Sequence, residues 1–115
     1  MIKGPENEHK RTLIITLRRS KSPFWRAVAR HLSKPARKSV EVNLLKINKL
    51  TKINDTVIVP GKVLGYGALS HPITVGAFSY SSQAKAKIEM ANGKAFSIEK
   101  IYGENPSGKG LMLLT

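Results

Sequence analysis

In Val40-Glu41-Val42-Asn43-Leu44 the spacing of apolar residues changes to every second position, so that apolar and polar side chains alternate. Such alternation is typical of a half-buried β-strand. Three more strands are predicted downstream, over 56–59, 73–78 and 95–101, and Pro60-Gly61 is expected to end the first of these. The spacing of the four strands indicates successive turns of a loosely repetitive β-rich coil, without a regular solenoid repeat.

A helix is predicted between the last two of these strands. Ser82 is suited to cap it, residues 83–91 to form it, and Asn92-Gly93 to stop it. Its apolar stripe would consist of Ala84, Ile88 and Ala91. The remaining sequence predicts a loop over 105–110 and a short apolar tail over 111–114.

Upstream of the first strand, Ser22-Pro23 marks the start of another helix. Serine caps a helix by accepting backbone N–H bonds, and proline suits the first helical position. The residues expected to face the core are Phe24, Val28 and Leu32, which recur every four positions. Trp25 is also expected in the core rather than exposed to stack on a ligand. Lys34-Pro35 disfavours continuation of the helix.

The segment 12–17 is ambiguous. Its β-branched residues suggest a strand, whereas Leu13 and Leu17 at four-residue spacing suggest a short amphipathic helix, which we favour. Residues 1–9 are polar and are interpreted as a flexible arm. The chain is thus predicted to be one domain over 1–115 of mixed α+β class. A basic helical part spans 10–38 and a β-rich part spans 39–115.

Charge is the most informative feature of the composition. Lys and Arg number 20 against 7 Asp and Glu, a formal net charge of +13, while 41% of residues are hydrophobic, which argues for a folded chain. A chain this basic favours a polyanionic partner, either nucleic acid or an anionic membrane surface. Residues 1–52 carry a net charge of +11 and residues 53–115 only +2, and every arginine lies at or before Arg37. This asymmetry favours nucleic acid.

Arginine supports that interpretation, because its planar fork can bond two phosphate oxygens and stack on bases. Lys46, Lys49 and Lys52 would share one side of a helix, with Ile47 and Leu50 buried behind them, and would continue the RNA-facing surface. The complete set of predicted RNA-binding residues is Arg18, Arg19, Lys21, Arg26, Arg30, Lys34, Arg37, Lys38, Lys46, Lys49, Lys52, Lys62, Tyr66 and Lys109.

Two glycine-rich segments resemble nucleotide-binding loops without completing the pattern. The segment 103–110 matches a phosphate loop until Gly110, which stands where a magnesium-binding Ser or Thr belongs, and too few residues follow for the required helix. Gly65-Tyr66-Gly67 is either a tight turn that needs positive φ or a backbone that approaches phosphates while Tyr66 stacks on a base. Lys62 on the same loop slightly favours the second alternative.

No catalytic or metal-binding set is predicted. The sequence contains no cysteine, and His9, His31 and His71 lack metal-type spacing. The carboxylates are scattered, with no pair suited to acid–base work. We therefore predict a non-enzymatic protein without cofactor, metal or small-molecule substrate. The absence of a long apolar run predicts that nothing spans a membrane, and we expect no membrane partner. No signal-length apolar segment stands at the N-terminus, and the lack of cysteine fits an intracellular protein.

Several motifs together resemble one ribosomal protein family. They are Glu41–Lys49, Val59-Pro60-Gly61-Lys62-Val63-Leu64-Gly65, Ile73–Ser81, the Ala-Lys-Ala-Lys-Ile-Glu helix at 84–89, Trp25-Arg26, Lys34-Pro35, and Asn-Pro-x-Gly-x-Gly at 105–110. The combination is similar to the archaeal and eukaryotic "eighteen-e" protein of the large ribosomal subunit, a relative of the bacterial "fifteen" protein. The resemblance extends from about Thr12 to Leu114.

The resemblance implies N-terminal helices followed by an irregular β-β-α superhelix. It also implies a cytoplasmic, structural role in the ribosome, with large-subunit ribosomal RNA and neighbouring large-subunit proteins as partners. The compact length is closer to the archaeal than to the eukaryotic form. The alternative left open by the residues is a non-ribosomal RNA- or DNA-binding protein.

Overall fold

The computed structural model describes residues 5–115, including the side chains of 8–35 and 37–115. Its helices are α1 (Pro5–Arg18), α2 (Pro23–Leu32), α3 (Leu44–Leu50), α4 (Ser82–Met90) and α5 (Ile98–Glu104), with a 3-10 turn at Ala36–Lys38. Its strands are β1 (Val40–Asn43), β2 (Thr56–Leu64), β3 (Thr74–Tyr80), β4 (Lys94–Ser97) and β5 (Met112–Leu113).

The strands form one parallel sheet in the order β1-β2-β3-β4, so each strand lies beside its predecessor in the chain. The connections through α3 and α4 return the chain to the same end of the sheet, as parallel pairing requires. This arrangement confirms the mixed α/β class and the coil of successive strands predicted from the sequence.

β2 passes through Pro60-Gly61, where we expected it to end. The first half of β2 pairs with β5 at Val57–Ile58, and its second half pairs with β1 from Gly61 to Leu64. Pro60 therefore sits between two ladders, where its missing N–H costs least. The pairing with β3 shifts register between Val59 and Lys62, which is a bulge that lets the strand continue.

Gly61 is required by the close approach of β1. A Cβ placed on it would overlap the carbonyl oxygen of Val40 and lie 2.9 Å from the Val40 Cβ. We expect Gly61→Ala to lower the free energy of unfolding by about 1–3 kcal/mol or more, because the backbone of a paired strand cannot yield like a side chain. Chemical denaturation measures this loss.

Gly103→Ala is the matched control, since nothing lies within 4 Å of a Cβ there and Gly103 belongs to α5. It should leave stability unchanged or raise it by about 0.5–1 kcal/mol, because alanine favours a helix. A Gly61→Ala chain as stable as this control would contradict the close approach.

Two buried clusters cover the two faces of the sheet. Val57, Val59 and Val63 of β2 face the first cluster, which α3 and α4 close with Ile47 and Ile88. Facing the other way, Ile58 belongs to the second cluster, which α1, α2 and α5 close; its helical members are Leu13, Leu17, Trp25, Val28, Ala29, Leu32, Ile98 and Ile101. Covering both faces explains why β2 is almost continuously apolar.

The N-terminal segment is helical over a longer range than expected. The helix favoured for 12–17 is confirmed, but it begins at Pro5, so residues 5–9 are helical where a flexible arm was expected. Residues 1–4 of that predicted arm lie outside the described residues. His9 of α1 contacts the Glu99 carboxylate at 2.5 Å and stacks on Phe78, which holds α1 against β3 and α5.

α2 begins at Pro23 as predicted, with Ser22 at the N-cap position, yet the Ser22 side chain does not cap it. Its hydroxyl instead donates to the Ser107 carbonyl at 2.7 Å. Val28 and Leu32 are buried as expected and Trp25 is fully buried, whereas Phe24 is only half buried.

Two boundaries in the C-terminal half were predicted wrongly. The serine that caps α4 is Ser81, whose hydroxyl accepts from the Ala84 amide at 3.1 Å, not Ser82. The fourth strand ends at Ser97, where we expected it to reach residue 101. The Ser97 hydroxyl accepts a bond from the Lys100 amide at 3.3 Å, so the chain turns into α5.

Candidate nucleic-acid interface

The first basic cleft lies between α1 and the end of α2. Arg18 is directed across it, since its Nη2 donates to Ser33 Oγ at 3.2 Å. The half-buried Ile14 and the buried Leu32 supply apolar lining. The cleft has a volume of about 530 Å³ and is lined by Lys10, Arg11, Ile14, Ile15, Arg18, Leu32, Ser33 and Lys34. Four of these eight side chains are cationic, which suits an anionic ligand.

A second basic cleft, of about 510 Å³, lies where the α1–α2 turn meets the C-terminal loop. Its lining includes Arg19 and Lys21 on the turn and Tyr102, Pro106 and Ser107 across from them. Two hydrogen bonds fasten the loop to α2, one from Ser22 to the Ser107 carbonyl and one from Trp25 Nε1 to the Asn105 carbonyl at 2.9 Å.

Lys109 is carried by that C-terminal loop. The Asn105 side chain fixes the loop, because its Oδ1 accepts from the Gly108 amide at 3.1 Å and its Nδ2 donates to the Lys109 carbonyl at 2.9 Å. The Lys109 side chain is exposed. In the described part of the chain, β5 rather than a helix follows this loop directly, so the segment that resembled a phosphate loop does not lead into the helix N-terminus that would face the phosphates.

The cations predicted to face RNA are exposed at the C-terminal end of α2 and in the segment that follows. Arg30, Lys34, Arg37 and Lys38 project from the end of α2 and the 3-10 turn after it. Burial lowers the pKa of His31 below its usual 6.5, and the nearby charges of Lys34 and Arg30 lower it further. The neutral form of His31 is therefore favoured, mainly by burial and secondarily by the two nearby cations.

Arg26 is exposed as well, but its Nη1 donates to the Ser20 carbonyl at 3.0 Å, which directs the guanidinium toward the α1–α2 turn.

These cations lack acidic partners. Within the described side chains, the only lysine or arginine in an ion pair is Lys100, which meets Glu104 at 3.2 Å. The described cations of residues 10–52 therefore have no carboxylate within 4 Å among those side chains. A surface meant only for solubility usually mixes charges of both signs.

Helix α3, which carries Lys46 and Lys49, packs on the opposite face of the sheet from α2, and Lys52 follows two residues after α3 ends. That these lysines face RNA stays a prediction. Lys46, Lys49 and Lys52 are exposed, and Lys46 Nζ donates to the Thr115 carbonyl at 2.6 Å. Ile47 is buried behind them as predicted. Leu50 is 50% exposed, so its predicted burial was wrong.

Lys62 lies near the end of β2, and Tyr66 lies in the loop just beyond the strand. Lys62 is exposed on the strand itself, and Tyr66 is 68% exposed in the following loop. Gly67 has a φ of 97°, which confirms the tight turn that needs positive φ. Lys87 of α4 donates from Nζ to the carbonyls of Gly65 at 2.7 Å and Gly67 at 2.8 Å.

Comparison with known proteins identifies the family. A family model described as ribosomal proteins 50S-L15, 50S-L18e and 60S-L27A matches residues 25–96, which run from α2 to β4. The chain belongs to this ribosomal protein family. Membership gives it a structural role in the ribosome rather than an enzymatic one.

Curated members of the family are similar over most of their length. The large ribosomal subunit protein eL18 of Sulfurisphaera tokodaii is 48% identical over 111 residues, covering 96% of this chain and 94% of that protein. The eL18 proteins of Methanococcus maripaludis and Archaeoglobus fulgidus are each 45% identical over 96 residues, or 84% of this chain, and 80% and 82% of their own lengths are covered. The recognition made from sequence motifs is thus confirmed.

The described residues show neither a metal-binding cluster nor a membrane-spanning helix. Within it, no group of three or more His, Cys, Asp or Glu side chains is placed to hold a metal ion. Across the same residues, no helix has both the length and the hydropathy needed to cross a membrane.

Sequence reasoning did not single out three basic residues that the structure places in the first cleft or against the loop after β2. Lys10 and Arg11 line the first cleft, but they stood at the edge of the supposed arm and were not proposed as contacts. Their spacing to Ile14 and Arg18 on one helix was the available signal. Lys87 had no such signal, because only the folded chain brings it to the loop after β2.

Proposed function

We propose that the chain binds large-subunit ribosomal RNA through the basic surface formed by α1, α2 and the 3-10 turn. It would thereby hold separate RNA segments together in the cytoplasmic ribosome, beside neighbouring large-subunit proteins. The observation that carries the proposal is the line of exposed cations without carboxylate partners around the first two clefts. Ribosomal membership supplies the RNA-rich setting.

The mechanism is counterion release combined with shape fitting. Arginine and lysine side chains displace condensed cations from the phosphates, which favours binding entropically and makes it depend on salt. The major groove of an RNA helix is too narrow for side chains, so contacts to phosphates, 2′-hydroxyls and unpaired bases should dominate. The two clefts lie on either side of the α1–α2 turn and would each receive a separate stretch of backbone.

Binding to large-subunit RNA should therefore weaken steeply with salt. If about six to ten phosphates are neutralised, affinity falls by roughly 10³–10⁵ between about 50 and 200 mM salt. Filter binding or fluorescence anisotropy at several salt concentrations measures the slope. A flat response would rule out the phosphate mechanism.

Competition supplies the second arm of this test. Unlabelled ribosomal RNA should displace the labelled RNA at lower concentration than duplex DNA does, because the clefts would be shaped for folded RNA. Equal competition by the two would favour a general nucleic-acid binder instead of the ribosomal function proposed here.

A further inference from the structure

The loop after β2 is fastened at every backbone carbonyl of the sequence Gly65-Tyr66-Gly67. Lys87 Nζ donates to the carbonyls of Gly65 and Gly67, at 2.7 and 2.8 Å. The Leu45 amide donates to the Tyr66 carbonyl at 2.9 Å. Three consecutive carbonyls are therefore turned toward the protein, and the loop is tied to both α3 and α4.

Close packing also holds the loop in this conformation. A Cβ on Gly67 would lie 2.6 Å from the Leu45 amide nitrogen, and one on Gly65 would lie 2.8 Å from the Gln83 side chain. Gly67 also has a left-handed φ that other residues rarely adopt. The backbone has no room to relax toward α3 or α4.

The side chain at the centre of this rigid loop points to solvent. Tyr66 is 68% exposed, and within the described residues its hydroxyl has no hydrogen-bond partner and its ring stacks on no other aromatic ring. By contrast, Tyr80 donates to the Val75 and Phe96 carbonyls, and Tyr102 packs on Trp25. Tyr66 is thus the described tyrosine whose side chain contributes least to the core, although its loop is bonded to both α3 and α4.

We propose that Tyr66 is a stacking platform for an unpaired nucleobase of RNA, with Lys87 as the residue that positions it. This rests on the proposed function, since the RNA must be bound before a base can stack. An aromatic face binds any base, and stacking is the main way proteins hold splayed-out RNA bases. A fixed backbone reduces the ordering cost of binding.

The surroundings favour an RNA base over a protein side chain. Leu45, which is 40% exposed, packs beside Gly67, and its amide bonds the Tyr66 carbonyl, so the start of α3 adjoins the loop. Leu45 is followed in α3 by Lys46, with Lys49 one turn on, and both are exposed. A base on Tyr66 would therefore lie beside a helix whose exposed Lys49 can meet a flanking phosphate, whereas the Lys46 ammonium is bonded to the Thr115 carbonyl.

The test compares a single-stranded oligouridylate with a blunt RNA duplex, using the full chain. Tyr66→Leu removes the aromatic face but keeps an apolar side chain, and it should weaken binding to the single strand about tenfold. Binding to the duplex should be unchanged, because a paired base cannot reach the platform. Tyr66→Phe should bind both RNAs like the parent chain.

A fluorescent variant reports stacking directly. Tyr66→Trp places an exposed indole on the loop, while the existing Trp25 is fully buried and insensitive to a surface ligand. The single strand should quench the new fluorescence and the duplex should not. Equal quenching by both RNAs, or by neither, would overturn the platform.

Lys87→Met tests positioning, because it removes the ammonium and leaves a side chain of similar length. Single-strand binding should weaken by several-fold while duplex binding stays at the parent value. The melting temperature should fall modestly, because the Gly65 and Gly67 carbonyls lose their donor, and Lys87→Arg should recover part of both losses. Unchanged single-strand binding would show that Lys87 does not position the ring.

The stacking proposal and the proposed function fail in different ways. A flat salt response with the duplex contradicts phosphate binding as a whole. A normal salt response with Tyr66→Leu indistinguishable from the parent contradicts stacking alone. If Tyr66→Leu binds both RNAs normally but enters large subunits poorly, the loop contacts a neighbouring protein, and the base platform is wrong.

Discussion

A chain carrying Arg30→Glu and Arg37→Glu is expected to fail to cofractionate with large ribosomal subunits on a sucrose gradient. Both side chains are exposed, and neither has a partner within the described structure, so the change should leave the fold intact. In the proposed binding mode it would replace two attractive interactions with phosphates by two repulsive ones. In RNA-binding measurements, the slope of log affinity against log salt should become shallower by about two.

The control is Lys85→Glu with Lys94→Glu, which changes the net charge by the same amount on the nearly neutral C-terminal half. Lys85 lies on α4 and Lys94 on β4, and both are exposed. This variant should still cofractionate with large subunits. If the two double variants are equally impaired, net charge alone governs binding and the placement of the arginines on α2 and the 3-10 turn is irrelevant.

Trp25→Ala is expected to be the most destabilising single substitution that we propose. Trp25 is fully buried, packs edge-to-face on Phe24 and Tyr102 with ring centroids 5.2 Å apart in each case, and bonds the Asn105 carbonyl. Removing a buried Trp costs about 3–5 kcal/mol, and here the C-terminal loop also loses its attachment to α2. Urea denaturation measures the loss.

Two further variants separate the contributions to that loss. Trp25→Phe keeps an aromatic ring but leaves the Asn105 carbonyl without its donor, so it should cost about 1–3 kcal/mol. Tyr66→Ala removes an exposed ring and should change stability by no more than about 0.5 kcal/mol. A loss at Trp25→Ala as small as at Tyr66→Ala would contradict the central place of Trp25 in the second core.

Much of the fold could be predicted from local pattern. The alternation at residues 40–44 gave β1, and Ser22-Pro23 placed the start of α2 correctly, because both signals act over a few neighbouring residues. The wrong predictions fell where pairing with residues distant in the sequence determines the local structure. Pro60 stays within β2 because β5 pairs with the strand before it and β1 pairs with the strand after it. No local sequence signal reveals that the neighbouring strand changes at this point.

The basic character of the candidate site could be predicted from the sequence, but the placement of its residues in the fold could not. Charge asymmetry pointed to α2 and the turn after it, where Arg30 and Arg37 are exposed without acidic partners. It did not reveal that α3 carries Lys49 on the other face of the sheet, because charge counts contain no information about faces. Nor could it reveal Lys87, whose role depends on a contact across 20 and 22 residues of sequence.

The most direct measurement is an electron cryomicroscopy structure of the large ribosomal subunit with this chain in place. The account predicts that the guanidinium groups of Arg18, Arg30 and Arg37 lie within hydrogen-bonding distance of RNA phosphate oxygens, with RNA in the cleft between α1 and α2. A seated chain whose α1–α2 surface faces solvent or other proteins, away from any polynucleotide, would contradict it.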